Sequence, residues 1–444
     1  MKTPILDFLE AYRQKNAVRL HVPGHKGNLY LGAEPMDITE IRGADDLYHA
    51  SGIIRESEEN ATTLFGSART GYSTEGSSLC IRAMLLSIRR FAESRGEKPR
   101  ILAGRNAHKS FLSALALLDI EVEWLFSEAD SLLSCEIDTE VLKRRLSEKK
   151  FTALYVTSPD YLGSLSDIER LSALCHAQDT LLAVDNAHGA YLKFLPKSMH
   201  PLDLGADICC DSAHKTLPVL TGGAYLHIGK SAPPLLAKEA KTALSLFAST
   251  SPSYLTLASL DRANTLLASA LPKALAKIAA RAYTLKSALI EKGYTFVGDE
   301  PMKLTVSAKP YGYTGEGLAT LLEEQNIVCE FCDPDFLVLM LSSETTKEDL
   351  ARLSEALMAI PKKEPIDKKP PRLPRPHVAT SPRVALLSAS EQTPIREAEG
   401  RILADPSVSC PPAVPILVSG EIIDADAIEC FAYYGIESCL TVKK

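Results

Sequence analysis

Apolar and polar positions fall into a regular alternation between about Thr62 and Ile228. Short β-branched or apolar runs recur at Arg100–Gly104, Glu121–Phe126, Thr152–Thr157, Thr180–Asp185, Asp207–Asp211 and Gly223–Ile228. Between several of them apolar residues return at helical spacing, over Ser78–Arg95, Lys109–Leu118, Asp138–Lys149 and Asp167–Ala177. Asp138 and Asp167 each stand just before such a stretch, where a side-chain carboxylate can cap a helix. Strands alternating with helices predict an α/β fold built on a mostly parallel sheet covered on both faces. The alternation loosens towards Ile228, so the last strands are open to antiparallel pairing.

On either side the pattern changes. Residues 1–45 are polar and punctuated by Gly and Pro, with a short helical pattern at Ile5–Tyr12. After the α/β region (46–260), Leu257–Gly293 is rich in Ala and Leu and predicts a long helix kinked at Pro272. Runs at Leu304–Lys309, Val328–Cys332 and Phe336–Leu341, with helices at Gly315–Gln325 and Thr346–Ile360, complete a small α+β unit, so that 261–360 form one region. Residues 361–382 are dense in Pro and Lys/Arg and predict an extended, solvated linker. A C-terminal segment, 383–444, follows, with apolar runs at Val384–Leu387 and Val414–Ser419 and a turn at Pro411–Pro412.

Composition narrows the function. The chain has 444 residues, 45% hydrophobic and 24% charged, and a formal charge of −7. A mildly acidic chain lacks the electrostatic footprint of a nucleic-acid binder. Its ten cysteines are scattered and form no dense disulfide framework. Cys329 and Cys332 make one CxxC without a second pair or a histidine at zinc spacing, so they are expected to be small buried residues of a strand. No uncharged apolar run is long enough for a membrane span, and no targeting pattern opens the chain. A reduced, cytoplasmic protein without membrane or nucleic-acid partners is the expectation.

In an open parallel sheet, ligands bind beyond the carboxyl ends of the strands. Four such places carry suitable groups: Gly76, Ser77 and Ser78 at a helix start, His108 after RILAG, Asp185 closing LLAV, and Ser212, His214 and Lys215 after DICCD. Pyridoxal 5'-phosphate asks for this set. It needs a lysine for a Schiff base, which Lys215 offers, and a carboxylate at its ring nitrogen, which Asp185 offers. It also needs a flat group over its ring (His108) and a helix start with hydroxyls for its phosphate. Each residue has a plainer use as well, as a solvated lysine, a helix cap or a polar group under a loop. The order Gly/Ser, His, Asp, Lys on successive strand ends is what joins them.

Several motifs go further. HVPGHKG (His21–Gly27), GADDLYHASGII (Gly43–Ile54), RNAHKS (Arg105–Ser110), TSPDYLG (Thr157–Gly163), VDNAHGA (Val184–Ala190) and SAHKTLP (Ser212–Pro218) resemble those of the Orn/Lys/Arg decarboxylases. So do STSPSY (Ser249–Tyr254), EGRI (Glu399–Ile402) and PPAVPILVSGE (Pro411–Glu421). The likeness is to the short bacterial form, which lacks the N-terminal wing domain. It implies the fold of the type I pyridoxal-phosphate enzymes, with 46–260 as the cofactor-binding domain and 383–444 as a C-terminal decarboxylase segment.

The resemblance further implies that Lys215 carries the cofactor, Asp185 pairs with the ring nitrogen, His108 stacks on the ring, and His188 lies near the reacting atoms. Ser77, Ser78, Ser212 and His214 would hold the phosphate beside Gly76. Ser249 and Thr250 would reach the phosphate of a neighbouring subunit in a homodimer whose active sites lie at the interface. The reaction implied is α-decarboxylation of arginine, lysine or ornithine to an amine that feeds polyamine synthesis.

The chain departs from the family pattern at Asn186 (usually Glu), Ala213 (usually Thr), Ser78 (usually Thr), Gly222 (usually Gln) and in PPAVP (usually PPGIP). An aminotransferase or aldol-type lyase on the same fold, and a non-catalytic relative, remain the competing readings. A basic substrate also needs acidic groups for its distal cation, for which Glu330, Asp333, Glu344 and Glu421 are candidates.

Overall fold

The computed structural model describes residues 1–127, 131–406 and 412–443. The chain opens with α1 (Pro4–Gln14) and α2 (Ile53–Phe65), and the α/β region follows. Its elements are β1 (Arg69–Ser73), α3 (Gly76–Ser94), β2 (Arg100–Gly104), α4 (Lys109–Leu118), β3 (Glu121–Leu125), α5 (Thr139–Glu148), β4 (Ala153–Thr157), α6 (Ile168–His176), β5 (Leu181–Asp185), β6 (Ile208–Asp211), α7 (Ala213–Thr216) and β7 (Ala224–Ile228). The seven strands form one sheet in the order β1-β7-β6-β5-β4-β2-β3. β5 pairs with β6, and β2 with β3, in parallel. β7 is antiparallel to both β6 and β1. The loosened pattern near Ile228 thus marks a real change of strand direction. Both predicted aspartate caps form: Asp138 accepts from the N–H groups of Glu140 and Val141, and Asp167 from that of Arg170.

The remaining elements are α8 (Pro234–Phe247), α9 (Tyr254–Leu267), α10 (Leu271–Lys292), β8 (Thr295–Val297), β9 (Lys303–Ser307), α11 (Gly315–Glu323), β10 (Phe331–Cys332), β11 (Phe336–Met340) and α12 (Lys347–Ala359), then α13 (Pro382–Leu387), β12 (Ser390–Pro394), β13 (Leu403–Asp405), α14 (Ala425–Tyr433) and β14 (Ser438–Val442). The long helix expected over Leu257–Gly293 is in fact two, α9 and α10, because Pro272 takes the second position of a new helix instead of kinking an old one. The run IVCEFC forms a strand only at Phe331–Cys332, and Cys329 and Cys332 are half-buried where full burial was expected. The expected turn at Pro411–Pro412 begins outside the described residues, as does Cys410.

The chain divides into two compact units, Met1–Pro99 with Lys150–Tyr155 and Asp167–Ala276, and Arg100–Lys149 with Val156–Ser166 and Lys277–Lys444. The first has fully buried Ile5, Leu9, Phe65, Tyr72, Tyr225 and Tyr254 in its core. In the second, Leu403, Leu417, Ile423 and Phe431 cluster between β12–β14 and α14. There the predicted linker is extended but tied down. The N–H groups of Lys363 and Ile366 donate to the carbonyls of Tyr311 and Lys309, at 3.2 and 3.0 Å, and the Tyr313 hydroxyl donates to the Pro361 carbonyl at 2.9 Å. Among the described residues no helix is long and apolar enough to cross a membrane.

Candidate active site

β5 (LLAVD) is buried along its whole length, and Asp185 ends it. The parallel neighbour β6 ends at Asp211, and the single turn of α7 that follows carries His214 and Lys215. Two adjacent strand ends therefore deliver a carboxylate and an amine to one place. Lys215 Nζ lies 2.7 Å from His188 Nε2, so one proton can pass between amine and imidazole. Asp185 is buried and accepts from the Tyr155 hydroxyl at 3.1 Å, the Ala187 N–H at 3.2 Å and the Cys210 thiol at 3.6 Å. Burial raises its pKa above the ordinary carboxylate value, and the charge of Lys215 opposes that rise. Burial also pushes the Tyr155 phenol far up, which keeps it a neutral donor to Asp185.

The start of α3 forms the second part of the site. Gly76 opens this 19-residue helix at φ +71°, a left-handed conformation that glycine adopts without strain, and a Cβ there would meet no atom within 4 Å. Its N–H donates to the Gly222 carbonyl at 2.7 Å. The Ser212 hydroxyl donates to Ser77 Oγ at 2.8 Å, which joins the α3 start to the strand end that carries Lys215. Ser78 is half-buried in the first turn, which holds no acidic residue. Such a helix start presents N–H groups and the positive end of the helix dipole to an anion. His214 is turned to the Gly223 carbonyl, 3.0 Å from its Nδ1. Ser249 and Thr250 are exposed, and the Ser249 N–H donates to the Glu75 carboxylate at 2.8 Å.

The second unit holds the other candidates. His108 follows β2 and caps α4, accepting from the Ser110 N–H at 3.1 Å. Glu421 is buried and committed to Arg105 Nη2 at 2.9 Å and to the Val418 N–H at 2.7 Å, which removes it as a receptor for a substrate cation. Asp333 closes a turn by accepting from the N–H groups of Asp335 and Phe336, and burial raises its pKa to about 6. Glu330 accepts from the Tyr161 hydroxyl at 3.2 Å, and Glu344 is exposed. Sequence reasoning missed Tyr155 and the group around Asp211. Tyr155 is an ordinary core tyrosine by pattern, although the position of Asp211 at a strand end just before SAHK was a usable signal.

Comparison with known proteins settles the family. Residues 3–298 match the major domain of the Orn/Lys/Arg decarboxylases. The chain belongs to that family. It is 31% identical to an arginine decarboxylase of Halalkalibacterium halodurans over 461 residues, spanning 95% of this chain and 91% of the relative. It is 31% identical to an arginine decarboxylase of Bacillus anthracis over 466 residues, spanning 96% and 92%. Among solved structures, a lysine decarboxylase of Francisella novicida superimposes with a TM-score of 0.79 at 18% identity, covering 99% of this chain and 79% of that one. Orn/Lys/Arg decarboxylases are pyridoxal-phosphate-dependent carboxy-lyases of basic amino acids, and the seven-stranded sheet found here is that of the type I pyridoxal-phosphate fold.

Proposed function

We propose that this decarboxylase removes the α-carboxylate of L-arginine, with pyridoxal phosphate seated on the β5 and β6 ends and the α3 start. The observation that carries the reading is the convergence of Lys215, His188 and buried Asp185 on two neighbouring strand ends. The residues fit the cofactor. Asp185 is a carboxylate whose burial is costly unless a cation faces it, which a pyridinium N–H would do. The Gly76 turn leaves open space at a helix start, where a phosphate is favoured. Arginine is proposed among the three basic substrates because two relatives of matching length at 31% identity are arginine decarboxylases.

Asp185 would face the ring nitrogen, Lys215 would hold the aldehyde carbon, and Ser77, Ser78 and Ser212 would bind the phosphate. Pyridoxal phosphate, once bound, supplies the electron sink for the bonding pair left when carbon dioxide departs. Asp185, hydrogen-bonded by Tyr155, would keep a proton on that ring nitrogen, whose positive charge would offset the cost of burying the carboxylate. Lys215 acts as a nucleophile only as a neutral amine, and His188 Nε2 at 2.7 Å is placed to take the proton from Nζ. The same pair is the source of the proton that Cα receives after carbon dioxide has left.

A homodimer belongs to the proposal. Val18, Leu20, Tyr30 and Leu31 are between 76% and 95% exposed, and a second copy would cover this apolar stretch.

Product analysis by mass spectrometry tests the reaction. Purified protein with added pyridoxal phosphate is offered L-arginine, L-lysine and L-ornithine together. Agmatine is the expected amine, and Lys215→Ala is expected to lower its formation by at least about 10³-fold. Cadaverine or putrescine in its place would overturn the substrate, and no amine at all would overturn the activity.

A further inference from the structure

Beneath the two strand ends lies a polar cluster that the reaction as described does not use. Asp211, the last residue of β6, is fully buried. Its Oδ2 accepts from His200 Nε2 at 3.0 Å and His227 Nε2 at 3.2 Å, and its Oδ1 accepts from Asn186 Nδ2 at 2.6 Å. The donor atoms of His200, Cys209 and Asp211 lie within 4.8 Å of one another, a spacing that a metal ion could use. The tautomer argues otherwise. His200 Nδ1 accepts from the Leu202 N–H at 3.3 Å, so the neutral ring carries its proton on Nε2 and points it at Asp211. The cluster is a carboxylate held by three donors.

Its other ends are anchored too. His227 Nδ1 lies 2.8 Å from Thr70 Oγ1 on β1, Thr70 is 2.8 Å from Ser67, and the Phe65 ring packs on His227 at 4.3 Å between centroids. What this rigid set holds is Asn186, the residue that follows Asp185. Asn186 Oδ1 is buried and has no hydrogen-bond partner among the described residues, so its donor end orients the side chain. Gly189 makes the room, since a Cβ there would stand 2.0 Å from that oxygen. The backbone adds two ties between the same strand ends, Asn186 N–H to the Cys210 carbonyl at 2.9 Å and Ser212 N–H to the Ala187 carbonyl at 3.2 Å.

We propose that Asp211 is a positioning residue for the decarboxylation: through Asn186 it fixes the 185–188 turn against the strand end that carries Lys215. Asp185 and His188 stand at the two ends of that turn. A shift of the turn would move both relative to Lys215 while leaving the phosphate cradle at Gly76–Ser78 in place. The inference rests on the roles of Lys215, His188 and Asp185 given above.

The test compares the wild type with Asp211→Asn, Asn186→Ala and the exchange Asn186→Asp/Asp211→Asn. In the exchange the amide at 211 donates to the new carboxylate while its oxygen still accepts from both histidines. Measured are kcat and KM for the amino acid that the wild type decarboxylates, cofactor affinity, and hydrogen exchange of the peptide spanning 181–190. Each of Asp211→Asn and Asn186→Ala is expected to lower kcat by at least about tenfold, the scale of a small misplacement of reacting groups, with KM nearly unchanged and cofactor affinity lowered less than kcat because the Gly76–Ser78 cradle stays in place. Exchange in the 181–190 peptide should speed up, and the Asn186/Asp211 exchange should recover most of both losses. Wild-type kcat and wild-type hydrogen exchange in Asp211→Asn and Asn186→Ala would overturn the inference, as would an exchange variant no better than Asp211→Asn. A wild type that yields no amine fails the reading of the site instead, and hydrogen exchange then still decides whether Asp211 holds the turn.

Discussion

Lys215 and Asp185 show how burial sets the chemistry of a side chain. The sequence places an amine and a carboxylate after two strands, and burial then makes the carboxylate costly to ionise alone while the amine at 2.7 Å from His188 finds a proton acceptor. The same balance operates away from the site. Asp261 accepts from the N–H groups of Ile5 and Leu6 and from the Ser57 hydroxyl, yet burial outweighs these donors and raises its pKa to about 6. A carboxyl raised in the folded state binds its proton more tightly there than in the unfolded chain. Stability from this group is therefore full below about pH 4 and is lost as pH rises towards 6. Urea unfolding between pH 4 and 7 should show this falling limb in the wild type and a flatter one in Asp261→Asn.

At the scale of elements, the decisive features are junctions. Gly222 has φ +93°, and a Cβ there would stand 2.5 Å from the Thr74 carbonyl, a backbone atom that cannot swing aside. Its own carbonyl takes the N–H of Gly76, so the loop before β7 braces the start of α3. Any side chain at 222 would therefore be strained in this arrangement. Gly222→Ala is expected to cost about 1–3 kcal/mol of stability and to weaken pyridoxal-phosphate binding severalfold, read from the melting temperature and from an absorbance titration. α9 and α10 teach the complementary lesson. The periodicity of Leu257–Gly293 is continuous, and only the packed structure shows that the chain stops at Leu267 and restarts at Leu271.

The scale of the molecule governs what the exposed N-terminal stretch does. Leu20 and Leu31 are 90% and 95% exposed, and burying apolar surface is worth about 25 cal/mol per Å². Light scattering of the purified protein should give the mass of two chains. Leu20→Glu with Leu31→Glu should shift it towards one chain and lower activity with it, while a monomeric wild type at full activity would remove the dimer from the proposal. The Pro-rich segment also takes its meaning at this scale. Composition predicts an extended chain there, and the ties to Lys309, Tyr311 and Tyr313 make it a strap on the second unit.

Local rules suffice for much of this protein. Hydrophobic period separates strands from helices, a carboxylate before an apolar stretch marks the caps at Asp138 and Asp167, and the order of motifs around His108, Asp185 and Lys215 points to the family. These are legible because each depends on residues close in sequence. β1 escaped notice, since RTGYS carries a glycine and polar residues and becomes a strand only by pairing with β7. Glu421 looked available until the fold brought Arg105 to it across more than 300 residues. The Asp211 cluster draws on Thr70, Asn186, His200 and His227, which only the folded chain brings together. Partners so distant leave no trace in local pattern, because the free energy that joins them is gained only when the sheet closes and water is excluded from between them.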